Sequence, residues 1–416
     1  MSSPTAPFPD TEALIARHDR ALSPNYRRQP IAIERGEGAW LYDATGKTYL
    51  DLFAGFGAGL LGHAHPDLVE AVTEQAGKVW HVGNLLHTEP QVRLAEAIRD
   101  TGFGGLSFFC HSGADANEAA IKLARLYGRA NPSGAGARHK VISATNSFHG
   151  RSYATMAATG QGKVSEGFEP LPAGFTHVPF DDVAALEEAI DAETVAVLLE
   201  PIQGEGGIIL PSDDYLTQVR RLCDQHDLLL ILDEVWTGGG RTGRMFAHQH
   251  FGVTPDMMTL AKGVGGGLPV GVMCARPALT EHVDASEHGV KHATTLGGNP
   301  LSMAAAARLF EVIQRDNLVA HADTLGRRAL ERLQQWASQH EAVTAVRGKG
   351  LFIGIEFDPT SDAAWFDSTL DLFKAGLDRG LLLNATHGNV VRLAPPITIS
   401  QPELDEGLDR LERLIG

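Results

Sequence analysis

Lys262 and Asp233, 29 positions apart, are the two side chains whose surroundings in the sequence give them chemistry to do. Asp233 closes the apolar run Leu228-Leu229-Leu230-Ile231-Leu232 and is followed by Glu234, Val235 and, soon after, a glycine-rich turn. That run predicts a buried parallel strand, which delivers its last carboxylate to the sheet edge where open α/β folds bind ligands. Lys262 lies in Leu260-Ala261-Lys262-Gly263, beside a short apolar segment and ahead of Val264-Gly265-Gly266-Gly267. Crowded by apolar groups and backbone, a lysine loses hydration, its pKa falls, and its amine can form a Schiff base. A Schiff-base lysine and a carboxylate that keeps a pyridine nitrogen protonated are what pyridoxal phosphate needs from a protein to act as an electron sink. Taken singly, a strand-end aspartate is more often a cap or ion-pair partner, and a lysine a solvated charge. The pair needs phosphate and substrate equipment elsewhere in the chain.

Two stretches could supply it. Phe108-Phe109-Cys110-His111-Ser112-Gly113-Ala114-Asp115-Ala116-Asn117-Glu118-Ala119-Ala120 predicts a strand, a Ser-Gly turn and an alanine-rich helix. A helix N-terminus presents free amides and the positive end of a dipole, so Gly113 and Ala114 could hold a phosphate, while Ser112 alone could equally be a helix cap. In Ser147-Phe148-His149-Gly150-Arg151, Phe148 could stack on a planar ring and Arg151 could grip a carboxylate with both arms of its guanidinium. Three rival motifs are weaker. Gly46-Lys47-Thr48 has the tail of a phosphate-binding P-loop, but Leu41 stands where its first glycine belongs. Gly57-Ala58-Gly59-Leu60-Leu61-Gly62 fits a dinucleotide fingerprint, and a nicotinamide-dependent dehydrogenase is the second reading it permits. The acid such a fold needs about twenty residues on is missing from Val79-Trp80-His81-Val82-Gly83-Asn84. His63 and His65 lack the further ligands a metal would want.

The elements that must position these residues follow from periodicity. Apolar β-branched runs at Val141–Ala144, Val195–Leu199, Leu228–Leu232 and Val270–Met273 alternate with amphipathic stretches such as Asp182–Ile190 and Tyr215–His226, which predicts a mostly parallel sheet covered by helices. Before it, Ile31–Asp43 and Gly46–Leu52 read as a hairpin. After it come helices at Pro300–Ile313 and Ala322–Gln339, a strand in Gly350–Phe357, a helix near Trp365–Asp378, strands at Leu381–Leu383 and Val390–Leu393, and a closing helix from Pro402. The expected division is an N-terminal segment of a small domain (1–60), a large cofactor-binding domain (61–310) and the C-terminal part of the small domain (311–416).

Composition narrows the class of function. With 416 residues, 43% hydrophobic and 21% charged, the chain can bury a sizeable core. A formal net charge of −16 argues against a general nucleic-acid or anionic-membrane surface, so anionic ligands must meet specific arginines. Cys110, Cys223 and Cys274 show no paired spacing and are expected as buried thiols. The opening Met1-Ser2-Ser3-Pro4-Thr5-Ala6-Pro7 has no basic and apolar signal pattern, and no run approaches membrane-spanning length, so a cytoplasmic protein is expected.

Taken together, these segments resemble the class-III aminotransferases of the fold-type-I pyridoxal-phosphate enzymes, from about Tyr26 to the C-terminus. The resemblance is carried by Gly62-His63-Ala64-His65-Pro66, by the Ser112–Ala120 and Ser147–Arg151 segments, and by Glu200-Pro201-Ile202-Gln203-Gly204-Glu205-Gly206-Gly207. It continues through Asp233-Glu234-Val235 with Gly240-Arg241-Thr242-Gly243, Lys262-Gly263, Thr294-Thr295-Leu296-Gly297-Gly298-Asn299-Pro300-Leu301 and Arg392-Leu393-Ala394-Pro395-Pro396. It implies a large domain with a mostly parallel seven-stranded sheet and a small α+β domain built from both chain ends. It implies that Lys262 carries the cofactor and Asp233 meets its pyridinium nitrogen, with phosphate on Gly113 and Ala114 and the ring against Phe148. Ser112, His149, Val235 and Trp236 would complete the surroundings, and Thr295 would reach the phosphate of a neighbouring subunit, so that a homodimer shares its sites. By similarity to the acetylornithine and ornithine aminotransferases, Arg392 would take an α-carboxylate, Arg151 a distal one, and Glu205 would pair with Arg392 so that ω-amines react. N-acetylornithine or ornithine is then the expected donor and 2-oxoglutarate the acceptor, in a ping-pong cycle. Another donor (4-aminobutyrate, lysine, a diamine) or an aminomutase is the alternative. Two departures bear on the donor: Trp236 stands where these relatives have a glutamine, and Phe56 where ornithine enzymes have a tyrosine.

Overall fold

The computed structural model describes residues 11–134, 136–360 and 369–415. Its centre is a seven-stranded sheet in the order Leu106–Cys110, Gly271–Ala275, Met257–Leu260, Leu229–Asp233, Thr194–Leu199, Lys140–Ala144 and Phe175–Val178. All neighbours run parallel except Gly271–Ala275, which is antiparallel to both strands beside it. The strands Thr194–Leu199 and Leu229–Asp233 are buried along their whole length, which is why they read as unbroken apolar runs.

Strand alternation sorts their side chains between the two faces. Leu229 and Ile231 pack with Ala119, Ala120, Leu123 and Ala124 of the helix Gly113–Ala130. Leu230 and Leu232 pack on the other face with Leu216, Val219 and Leu222 of the helix Tyr215–Gln225 and with Leu186 of Val183–Glu188. Continuing that alternation, Asp233 points to the side of the helix Gly113–Ala130.

The two chain ends meet in the small domain. Ile33–Glu37, Trp40–Asp43 and Thr48–Asp51 form an antiparallel meander whose last strand pairs in parallel with Leu381–Leu382. A second antiparallel sheet runs Val343–Lys349, Phe352–Phe357, Val390–Leu393, Asn384–Thr386. The helix Leu318–Ala337 packs on its strand Val343–Lys349 and Gln401–Ile415 packs by the strand Leu381–Leu382 of the first sheet, and Leu325, Leu333, Leu404, Leu408 and Leu411 share one core with Ile353 and Val391. The strand expected in Gly350–Phe357 is narrowed to Phe352–Phe357, because Gly350 makes the hairpin turn with φ +54°. Of the helix expected near Trp365–Asp378, Thr369–Asp378 is present and the earlier positions lie outside the described residues, as does the polar start Met1–Pro7. Gly57–Gly62 follows a short helical turn, Ala54–Gly57, instead of opening a strand-to-helix crossover. No helix among the described residues is long and apolar enough to cross a membrane.

Candidate active site

A cavity of about 470 Å³ opens at the carboxyl end of the central strands and brings together Ser112, Gly113, Ala114, Phe148, His149, Arg151, Glu205, Asp233, Val235, Trp236 and Lys262. Each arrives by a simple local device. Asp233 ends its strand, and Lys262 follows Met257–Leu260 on a turn that gives it φ +46°. That conformation is strained for a residue with a side chain, and such strain gathers at functional sites. Phe148, His149 and Arg151 lie on the loop after Lys140–Ala144.

Asp233 is held by a buried network. Its Oδ2 accepts from Asn117 Nδ2 at 2.7 Å and lies 2.8 Å from His149 Nδ1, and its Oδ1 accepts from the Val235 amide at 3.0 Å. Asn117 also donates to the His149 carbonyl, and its own Oδ1 accepts from Thr259 Oγ1. These bonds fix the carboxylate against rotation, as a group that must meet one ligand atom requires.

The helix Gly113–Ala130 supplies an anion cradle. Ser112 Oγ accepts from the Asp115 amide and the Ser112 carbonyl accepts from the Ala116 amide, which leaves the amides of Gly113 and Ala114 as the free donors of the helix end. The cap and phosphate readings of this turn are therefore compatible. A side chain at Gly113 would sit 2.9 Å from Val235 Cγ1, and one at Gly150 would sit 2.9 Å from the Ala114 α-carbon, so both glycines keep the cradle open.

Glu200 lines the cavity and Arg392 lies behind its wall. Glu200 is buried and accepts from the amides of Phe148 and Gly204, both at 3.1 Å; burial pushes its carboxyl up to about 7. Arg392, buried beneath the site, donates to Asn384 Oδ1 and the Gly204 carbonyl, and its Nη1 lies 3.1 Å from Glu205 Oε1. Burial lowers the proton affinity of Arg392 and of Lys262, whose side chain faces the cavity.

The expected residues are not all in the cavity wall. Arg392 reaches it through Glu205 and Trp236. Phe56 is half exposed and packs on Phe53 and Trp236. Thr295 is exposed in a loop held by hydrogen bonds from Asn84 to the Thr294 and Gly297 carbonyls. Sequence reading assigns no role to Asn117, Glu200, Thr259 or Asn384. Glu200 carries the same signal as Asp233, an acid directly after a buried strand. Asn117 lies four positions past Gly113 and so on the same face of the helix. His63 pairs with Asp51 and His65 with Asp67, and the three cysteines are free and buried.

The donor set fits pyridoxal phosphate: free helix-end amides for a phosphate, a fixed carboxylate for a ring nitrogen, and an amine of lowered proton affinity between them. The family profile described as aminotransferase class-III matches residues 21–415. An acetylornithine aminotransferase from Caldanaerobacter subterraneus subsp. tengcongensis is 44% identical over 403 residues, covering 97% of this chain and 99% of that one. A succinylornithine transaminase/acetylornithine aminotransferase from Pseudomonas aeruginosa is 40% identical, with 98% of each chain covered. The crystal structure of the ornithine aminotransferase from Toxoplasma gondii ME49 superposes with a TM-score of 0.91 at 30% identity, covering 98% of this chain and 95% of that one.

Proposed function

We propose, since the chain belongs to the class-III aminotransferases, that this pyridoxal-phosphate-dependent transaminase moves an amino group from an ω-amine donor to 2-oxoglutarate in a ping-pong cycle, with N-acetylornithine or ornithine first among donors. The observation that carries the reading is the Arg392–Glu205 pair beside Lys262, with Arg151 on the cavity wall. An arginine covered by a glutamate is shielded while an ω-amine reacts. It becomes a carboxylate clamp when the glutamate moves aside, since the guanidinium fork matches a carboxylate and stays charged. Arg392 is assigned the α-carboxylate of glutamate and Arg151 the distal one. Relatives named for acetylornithine and succinylornithine support the donor class.

When bound, pyridoxal phosphate supplies the electron sink for the carbon that loses its proton. The Gly113 and Ala114 amides would hold its phosphate, with Ser112 fixing their turn, and Phe148 and Val235 would line the place of its ring. Asp233, oriented by His149 and Asn117, would keep the ring nitrogen protonated. Lys262 would hold the cofactor, and its Nζ, facing the cavity, would take a proton from the substrate carbon and later return it, as general base and then acid. Trp236 and Phe56 shape the donor side. A second copy of the chain completes the phosphate site through Thr295, making a cytoplasmic homodimer. Residues 1–60 and 311–416 are assigned to the small domain and 61–310 to the large, cofactor-binding one.

The test is the visible spectrum of the protein loaded with pyridoxal phosphate, before and after L-glutamate. The band of the Lys262-linked cofactor is expected to form and then to vanish with glutamate, and Lys262→Ala is expected to lose both covalent attachment and turnover. A band that ignores glutamate would overturn the Arg151 and Arg392 assignments. Normal turnover in the Lys262→Ala protein would overturn the mechanism.

A further inference from the structure

Trp236 follows the strand-end Asp233 by three positions and is buried against Phe352, Phe53 and Phe56, with ring centroids 5.3, 6.4 and 6.5 Å away. Its place is set by shape. Its Nε1 has no acceptor among the described residues, and two glycines make room for the ring. A side chain at Gly204 would lie 2.4 Å from Cε3, and one at Gly57 2.4 Å from Nε1. The ring meets two cations: Lys262 Nζ lies 4.0 Å from its centroid and Arg392 Cζ 4.6 Å.

The carboxylates near Lys262 are all engaged elsewhere. Asp233 is bonded to Asn117, His149 and the Val235 amide, Glu200 to the amides of Phe148 and Gly204, and Glu205 to Arg392. Among the described residues no acceptor holds Nζ by a hydrogen bond, so its close partner is the indole. We infer that the face of Trp236 is the seat of the Lys262 ammonium: when Nζ carries its proton it rests on the indole, and the ring sets both its position and how firmly it keeps the proton. The physical logic is a compromise. A bonded carboxylate would trap the proton and block the amine, while an apolar wall would leave the ammonium without compensation. An aromatic face attracts the cation through its quadrupole and presents no acceptor that the amine must break from. Glu205, Asp233 and Glu200 add attraction from farther off and Arg392 repulsion. Arg151 and the titratable His111 and His149 also line the cavity. Trp236 is thus a positioning residue acting through Lys262.

This inference rests on Lys262 as the working amine, and its test is separate from turnover. Mono-, di- and trifluorotryptophan are placed at position 236 of the full-length, cofactor-free protein, which keeps the ring's shape while weakening its face. The proton affinity of Lys262 is then read as the pH dependence of its acetylation by acetic anhydride, quantified on the Lys262 peptide by mass spectrometry. The apparent pKa is expected to fall stepwise with fluorination, by about one pH unit across the series. A flat series, or a pKa that rises with fluorine, would overturn the inference while leaving the transaminase reading intact. Loss of cofactor attachment in Lys262→Ala, measured independently, concerns that reading alone.

Discussion

Glu200 and Arg392 show what burying a charge does at the scale of one residue. Glu200 has two amide donors but no cationic side chain bonded to it, and its carboxyl stands at about 7 against an ordinary 4.5. Between those values the folded chain holds a proton that the unfolded chain has released, so Glu200 makes stability fall as pH rises through that window, with the full penalty above about 7. Glu200→Gln removes the titration but keeps only one of the two oxygens that accept from the Phe148 and Gly204 amides. It should flatten this stretch of the Tm-against-pH curve, lifting the pH 8 end relative to the pH 5 end by on the order of 3 kcal/mol, while the amide left facing the new NH2 lowers the whole curve by about 1–3 kcal/mol. Parallel curves for the two proteins would show that another group dominates. Arg392 differs because each of its arms has a partner. Arg392→Ala leaves Glu205 without its cation, and is expected to cut the glutamate half-reaction at least about 100-fold while cofactor retention changes little. An unchanged glutamate response, read by single-turnover absorbance, would refute its role.

At the scale of elements, one close approach ties the small domain to the Arg241–Thr242 segment that follows the central strand Leu229–Asp233. Gly326, inside the helix Leu318–Ala337, comes so near the hairpin turn that an added Cβ would lie 2.0 Å from the Gly350 carbonyl oxygen; one on Gly350 would lie 2.4 Å from the Thr242 carbonyl carbon. The Leu351 amide donates to the Arg241 carbonyl, and the buried Arg241 guanidinium returns a bond to the Leu351 carbonyl. Alanine would improve an open helix position by about 1 kcal/mol, yet here overpacking should cost about 1–3 kcal/mol, so Gly326→Ala is expected to lower Tm. A raised Tm would mean the contact relaxes freely. The sequence discloses such elements unevenly. Leu228–Leu232 is legible because both sheet faces are covered and every position is apolar. Met257–Leu260 is only glimpsed as an apolar segment beside Lys262, being four residues long and without alternation. The antiparallel sense of Gly271–Ala275 leaves no local trace, because strand direction is decided by the route of the chain. The same holds within the site. Lys262 and Asp233 announce themselves by their flanks, whereas the bonds from Asn117 to Asp233 and from Asn384 to Arg392 depend on where distant segments meet.

For the whole molecule, the proposed pairing of two copies sets charge against apolar surface. The hydrogen bonds from Asn84 and Gln91 to the loop around Thr295 bring two segments together, and both expose large apolar side chains: Trp80, Leu85 and Leu86 on one, Val290 and Leu296 on the other. Leu85 is 94% exposed and Val290 73%, which is uncommon in a lone globular chain and typical of a surface that meets a partner. Two chains of net charge −16 repel one another, so apolar burial must outweigh that repulsion, and added salt should tighten the pair by screening it. If a second copy covers this patch and brings its Thr295 loop to the phosphate cradle, then assembly and cofactor retention must fail together. Leu85→Glu with Leu296→Glu, placed outside the cavity, is expected to shift the light-scattering mass from dimer to monomer and to weaken pyridoxal phosphate retention at least about 10-fold, with high salt partly restoring both. A monomeric parent protein, or a charged variant that turns monomeric yet keeps its cofactor as firmly as before, would show that each chain builds its site alone.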